Sequence, residues 1–332
     1  MVAHTSSFTI VSTVALFFFP KSSPHFFISR TKMRFSPLLI TAFSTLTNRV
    51  DSAVVYDTST ASSDITLSSF EFKSRQLFPA GPDLTGYGLG ALEQIAYDST
   101  SHILYGMSEQ GYLNIFKFDG DGFEDLGVSI DFSGATLTDV EVCKGYLFVS
   151  MLNGTEPGVV KIFQALAKGE TQVPSLISTA TVGVGPDMIK PNSDCSIIAV
   201  ANEGEGDYGD NGLVDPVGSV SLISGFESRF ASPIVTHVAL DMWTDEELLA
   251  KGVHMPLTAN AMEYWDDYSN IADDLDFSAA RASYTPDMHL EPEYVAWSAD
   301  DSKLMVNLQE NSAAVIIEVN SATDASVLDI GR

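Results

Sequence analysis

Four segments of this chain repeat one pattern, and a pattern recurring at near-constant spacing restricts the fold more tightly than any single motif. They are LEQIAYDSTSHILYGMSEQGYLNIFKF from Leu92, TDVEVCKGYLFVSMLNGTEPGVVKIF from Thr138, PDMIKPNSDCSIIAVANEGE from Pro186 and PEYVAWSADDSKLMVNLQENSAAVIIEV from Pro292. Each reads strand, polar turn, strand, polar loop, strand, with short β-branched and aromatic runs separated by Asp, Asn, Ser and Gly. A fourth strand follows in the first three, at Leu126 to Phe132, Leu176 to Val182 and Pro233 to Leu240, and Ser326 to Ile330 begins one in the last. Four antiparallel strands per unit of roughly 45 residues is the signature of propeller blades. The expected fold is an all-β β-propeller of four clear blades, with strand material at Ile65 to Phe78 bringing the count to five at most.

One position of the repeat stays acidic. Glu93, Asp139, Asp187 and Glu293 each open the first strand of their unit, at spacings of 46, 48 and 106 residues, and the last gap leaves room for an extra blade or an insertion. First strands line the channel of a propeller, so these four carboxylates are expected to ring one mouth of it. Glu109, Glu203 and Glu310 follow 16 or 17 residues later, where the second strand ends, with Asn153 in that place in the remaining unit. Two readings of the ring stand. Acids at strand openings accept backbone N–H bonds and keep blades in register. Alternatively, like charges converging at a channel mouth require a counter-ion such as Ca²⁺.

The loop from Ala201 to Ser221, ANEGEGDYGDNGLVDPVGSVS, holds five carboxylates and five glycines between two apolar runs. Glycine permits tight turns with positive φ. Clustered carboxylates and free carbonyls are the hard oxygen ligands that Ca²⁺ takes. Glu203, Glu205, Asp207, Asp210 and Asp215 are therefore the candidate metal ligands of the loop, acting with Glu93, Asp139, Asp187, Glu293 and Glu310 at the channel mouth. Neither this loop nor Asp119-Gly-Asp121-Gly is an EF-hand: counting from Asp207 puts Gly209 third and Gly218 twelfth, and counting from Asp119 puts Phe123 fifth.

Charge and targeting set the surroundings. The 332 residues include 17 Lys+Arg against 44 Asp+Glu, a net charge of −27. The first 53 residues hold five of those bases and one of those acids, leaving 12 against 43 in the remainder. Such a chain repels nucleic acid. Residues 1–53 are basic, aromatic and Ser-rich and read as a targeting segment, with 54–332 as the propeller domain. Their two apolar stretches, Phe8 to Pro20 and Phe35 to Phe43, fall short of the ~20 residues that span a bilayer. A start at Met33 would give a cleaner secretory signal, so a secreted or cell-surface protein is expected, the alternative being an organelle reached through a compound signal. Cys143 and Cys195 either pair or remain ordinary thiols, and neither has the spacing of a zinc or catalytic site. The sequon at Asn153 agrees with secretion.

From Asp241 to Leu290 the repeat breaks. WTDEELLAKGV reads as a short helix with Thr244 as N-cap and Glu247 completing a capping box. The following MEYWDDYSNIADDLDF reads as an excursion over one face, held by Tyr264, Trp265 and Tyr268. No GxSxG, HExxH, Walker or Rossmann pattern occurs, and His102, His237, His254 and His289 are scattered. No catalytic residue is assigned.

The blocks VGVGPDM, ANEGE, DYGDNGLVDPVGSVSLI and LEPEYVAWSADDSKLMVNLQENSA resemble the choice-of-anchor I domain, over roughly Phe70 to Arg332. That family includes a mesenchyme-specific cell-surface glycoprotein of biomineralising cells and bacterial proteins labelled alkaline-phosphatase-like. The resemblance implies a secreted or surface-anchored propeller related to WD40/YVTN-like repeats. Leu92-Glu93-Gln94 and Thr138-Asp139-Val140 depart from the family's usual Ala-Glu-Ile and Asn-Ser-Val. Family members generally continue with further blades and a sorting tail. A chain ending at Arg332 implies a truncated gene model, a compact variant or an assembly that another chain completes.

The expected function is an acidic binding or adhesion module, carrying Ca²⁺ and meeting an extracellular protein, a glycan or a mineral surface, with no transmembrane segment and an oligomer if the propeller is incomplete. The alternative is a metal-dependent phosphoesterase, which needs a base to hold phosphate; Lys190 and Arg281 lie closest in sequence to the acidic motifs.

Overall fold

The computed structural model describes residues 92–108, 110–119, 122–132, 134–209, 212–227, 232–255 and 285–332, all within the compact unit Lys73–Arg332. The strand material expected at Ile65 to Phe78, the aromatics Tyr264, Trp265 and Tyr268, and Glu109, Asp210 and Arg281 lie outside the described residues.

Each repeat folds into one four-stranded antiparallel sheet with neighbours in chain order. Blade 1 contains β1 (Gln94–Asp98), β2 (Ile103–Ser108), β3 (Tyr112–Phe118) and β4 (Phe123–Asp131). Blade 2 contains β5 (Leu137–Cys143), β6 (Tyr146–Met151), β7 (Pro157–Gln164) and β8 (Leu176–Val184). Blade 3 starts with β9 (Pro186–Pro191) and β10 (Ile198–Asn202); a small hairpin of β11 (Asp207–Gly209) and β12 (Gly212–Val214) then interrupts it before β13 (Ser219–Ser224) and β14 (Ile234–Ala239) complete the sheet. After α1 (Asp245–Ala250), blade 4 follows as β15 (Pro292–Trp297), β16 (Lys303–Leu308), β17 (Ala313–Ser321) and β18 (Asp324–Gly331). All four fourth strands therefore form where the repeat places them. The capping box of α1 is also present, with Thr244 Oγ1 accepting from the Glu247 amide and the Glu247 carboxylate accepting from the Thr244 amide.

The apolar residues of the middle strands face both ways, because a blade is buried on two sides and side chains alternate along a strand. In β6, Leu147, Val149 and Met151 join Tyr105, Met107, Leu113 and Ile115 of blade 1, while Phe148 turns the other way to pack with Ile198, Val200 and Ile223 of blade 3. In β10, Ala199 and Ala201 meet Val306, Val315 and Ile317 of blade 4. Cores thus lie between blades, and each fully buried Leu, Ile, Val or Phe in them contributes about 1.5–3 kcal/mol. The first strands converge on a cavity of about 110 Å³ lined by Ile95, Asp139, Asp187, Met188 and Tyr294, residues drawn from all four blades. That arrangement is a β-propeller, in agreement with the sequence.

Polar ties cross the same boundaries. Thr138 Oγ1 donates to Pro186 O at 2.6 Å, Gly183 N to Asn202 Oδ1 at 3.1 Å, and Trp297 Nε1 to Lys190 O at 3.0 Å. The two cysteines pair, so Cys143 at the end of β5 is joined covalently to Cys195 in the β9–β10 turn.

Candidate metal centre

Three segments distant in sequence bring carboxylates together at one end of blades 3 and 4. Glu203 follows β10, Glu293 sits in β15, and Glu310 lies in the β16–β17 turn. One carboxylate oxygen from each falls within 4.8 Å of the other two. Glu293 is buried, Glu203 half-buried and Glu310 exposed, so the group opens to solvent on one side.

The local sequence explains the convergence. Glu203 N donates to Gly185 O at 2.7 Å and Gly204 N to Val184 O at 3.1 Å, fixing the start of the loop against the end of blade 2. Gly204 has φ +69, and a Cβ there would lie 2.8 Å from Pro216 O and from Gly218 N. At Gly218 a Cβ would meet Leu290 O at 1.9 Å. Only glycine lets the loop's return strand lie against the segment that leads into Glu293. On the far side Asn311, fully buried, donates from Nδ2 to His254 O at 2.9 Å and to His289 O, and accepts from Glu291 N at 3.2 Å. This side chain ties the turn carrying Glu310 to the approach to β15, which accounts for the paired EPEY and LQEN blocks.

More acids surround the three. Burial lifts the Glu291 carboxyl to about 7, and Glu310, Asp215 and Glu205 push it in the same direction. Burial alone lifts Asp215 to about 6. Glu205 and Asp215 therefore stand in the same negative field as the triad. Asp207 lies in β11, and its side chain, like all of Asp210, is outside the described residues.

Of the four acids at the strand openings, Asp139 and Asp187 line the small channel cavity together, and Glu293 lies in the close group with Glu203 and Glu310. Among the described residues, Glu293 alone of the four repeat-position acids joins a group with three ligand oxygens so close together. Glu93, Asp139 and Asp187 belong elsewhere. Asp139 is buried with Oδ1 accepting from Val140 N at 2.7 Å and Oδ2 from Ile189 N at 2.9 Å. Its geometry fulfils the register-keeping reading, because two backbone amides already claim its oxygens. Asp187 lines the small channel cavity, and Glu93 is an exposed residue immediately before β1. Glu291 was not among the residues expected from the sequence; the signal was the acidic pair Glu291-Pro292-Glu293, read there for one member only.

Other chemistry-bearing groups are engaged structurally. Ser221 Oγ lies 3.0 Å from His237 Nδ1, but Ser221 is fully buried and accepts from Asn202 Nδ2 at 2.9 Å, so it offers no accessible nucleophile. Lys190 Nζ is 2.5 Å from Glu141 Oε1. Burial drives the His289 imidazole down to about 4, leaving it neutral.

Several solved structures show similarity to this chain. They include the periplasmic gluconolactonase PpgL of Pseudomonas aeruginosa, at 12% identity over 72% of this chain and 56% of that one with TM-score 0.41. A functionally unknown protein from Desulfotomaculum acetoxidans matches at 8% identity over 71% and 55% with TM-score 0.43, and the WD40 β-propeller domain of Doa1 at 13% over 74% and 55% with TM-score 0.38. The chain spans a little over half the length of each. No curated protein matches it in sequence. The described helices include none long and apolar enough to cross a membrane. The profile of the choice-of-anchor I domain matches residues 93–332, covering all four blades and the carboxylate group, and the chain belongs to that family.

Proposed function

We propose that this protein is a secreted or surface-held acidic propeller that binds a divalent cation, Ca²⁺, and uses the loaded face as a binding or adhesion surface. The observation that carries the reading is the approach of Glu203, Glu293 and Glu310 to within 4.8 Å. Ca²⁺ takes oxygens at about 2.3–2.6 Å, so oxygens of one coordination shell lie no more than about 5 Å apart. An all-oxygen donor set suits Ca²⁺ over zinc or copper. Repulsion among these acids and the raised Glu291 beside them is what such an ion would relieve. Glu203, Glu293 and Glu310 would hold it, with Glu205 and Asp215 closing the negative field around it. The partner is an extracellular protein, a glycan or a mineral surface, each of which a half-coordinated Ca²⁺ can bridge through oxygen.

The test is calorimetric titration of the full-length protein with Ca²⁺, and thermal unfolding with Ca²⁺ or with chelator, for the parent and for Glu203→Gln. Saturable binding and a higher melting temperature in Ca²⁺, both lost in the variant, support the reading. A parent protein indifferent to chelator sinks it. A phosphomonoester assay on the same samples addresses the phosphoesterase alternative, for which Lys190 is poorly placed because Glu141 already holds it.

A further inference from the structure

The β6–β7 turn of blade 2 differs in chemistry from its equivalents in blades 3 and 4. Glu203 follows β10 and Glu310 follows β16, whereas the residue that follows β6 in that place is Asn153. Second strands of successive blades run in the same direction, so this turn lies at the end of the blades that carries the carboxylate group. Packing places it on the same side. A Cβ at Gly158, on the strand leaving the turn, would lie 2.4 Å from Pro186 Cδ, and the neighbouring Gly185 accepts at its carbonyl from Glu203 N at 2.7 Å.

Asn153-Gly-Thr155 is the one Asn-x-Ser/Thr sequon in the 332 residues, and its middle residue is not proline. The fold presents it to solvent. Asn153 and Gly154 are exposed, Gly154 turns the chain at φ +60, and a Cβ on Gly154 would meet nothing within 4 Å, so open space stands over the turn. Its flanks are held in place, with Leu152 N donating to Thr136 O at 3.0 Å and Glu156 N to Asn153 O at 3.2 Å. The Asn153 amide nitrogen bears two hydrogens, and it donates to Pro157 O at 3.3 Å. One hydrogen serves that bond, so the other can be replaced by a substituent without breaking it.

We propose that Asn153 carries an N-linked oligosaccharide, held at the end of the propeller that bears the carboxylate group. The donor is a lipid-linked oligosaccharide diphosphate. The bond between the sugar's anomeric carbon and the phosphate oxygen breaks, a bond from that carbon to Asn153 Nδ2 forms, the lipid diphosphate leaves with the electron pair, and one Nδ2 proton passes to a base of the transferase. The inference rests on the secretory reading above, because that is the route on which a chain meets such a donor. Glycans of this kind are bulky, hydrated and confined to surfaces, and the exposed Leu152 beside Asn153 lies under the one attached here.

The experiment expresses the full chain in eukaryotic secretory cells, behind its own N-terminus and separately behind a borrowed secretory leader. Mass spectrometry of the peptide containing residue 153, before and after treatment with peptide N-glycosidase, reads its occupancy. The expected result is one glycan on the secreted parent, lost in Asn153→Gln and in Thr155→Ala and kept in Thr155→Ser. The two Thr155 variants leave the asparagine in place and differ by the hydroxyl, so they separate a lost glycan from a lost fold should Asn153→Gln not be secreted. A secreted parent with a bare Asn153, or a glycan that persists in both Asn153→Gln and Thr155→Ala, overturns the proposal and leaves secretion standing. Secretion behind the borrowed leader alone overturns the secretory reading instead, whatever the occupancy of Asn153.

Discussion

Asp139 of blade 2 accepts the amide of Ile189 in blade 3 at 2.9 Å, across the boundary between the two sheets. Burial pushes its carboxyl up to about 8, Glu141 adds to the rise, and the amides of Ile189 and Val140 with Lys190 only partly oppose it. From about pH 4, the ordinary carboxyl value, to about pH 8 the folded protein therefore retains a proton that the unfolded chain has released. Stability falls as pH rises through that window. Asp139→Asn is expected to flatten this slope in urea midpoints taken at pH 5, 6.5 and 8. At pH 5 it lowers stability by about 1 kcal/mol, since the amide offers one acceptor where the acid offers two. Parallel slopes for the two proteins would refute the buried acid's part in it.

The Cys143–Cys195 bridge closes a span of 52 residues between blades 2 and 3. Chain-entropy reasoning sets its contribution at about 4 kcal/mol, an upper value because reduced chains retain some structure. Urea unfolding with and without reductant should show a lower midpoint for the reduced protein, and Cys143→Ser should match it. Coincident curves would mean that the blade cores alone hold the two sheets in place.

Glu203→Gln separates charge from shape at the metal centre. It removes one negative charge from a group that includes Glu293, Glu310 and the raised Glu291. In chelator the variant should melt above the parent, because repulsion is relieved. In Ca²⁺ the order reverses, since an ion present at 100 times its dissociation constant stabilises the parent by about 2.7 kcal/mol. An unchanged order in both solutions would contradict the proposed site.

The blades were legible in the sequence because each strand is a short apolar run that ends at a polar turn, as at Ile103–Ser108 and Ala313–Ser321. The site was legible only in pieces. Glu203 and Glu310 showed themselves by their shared place after the second strand, and Glu293 by its place at the first, but their meeting depends on blades 3 and 4 being neighbours across the break at 241–290. Asp139 occupies the same repeat position as Glu293 and has a different task. What distinguishes them is the amide of Ile189, a partner 50 residues away that no local pattern encodes. Whether Cys143 and Cys195 pair was open for the same reason: the distance between two turns is a property of blade packing.

Gly218 supplies the last test, because it couples the loop to the site without contributing a ligand. A methyl group at this position would stand 1.9 Å from Leu290 O, 2.6 Å from Pro292 Cδ and 3.1 Å from Glu203 O. The first is a backbone atom that no side-chain rotation can move. Gly218→Ala must therefore push the segment leading into Glu293 away from the loop carrying Glu203, widening the gap between two of the three carboxylates. A core clash of this type costs about 1–3 kcal/mol, so the variant should still fold. The expected result is a modestly lower melting temperature in chelator together with a loss of Ca²⁺ affinity far larger than the stability change. Full Ca²⁺ affinity in a folded Gly218→Ala protein would show that the close approach of loop and strand is dispensable, and that the ion, if bound, is held elsewhere.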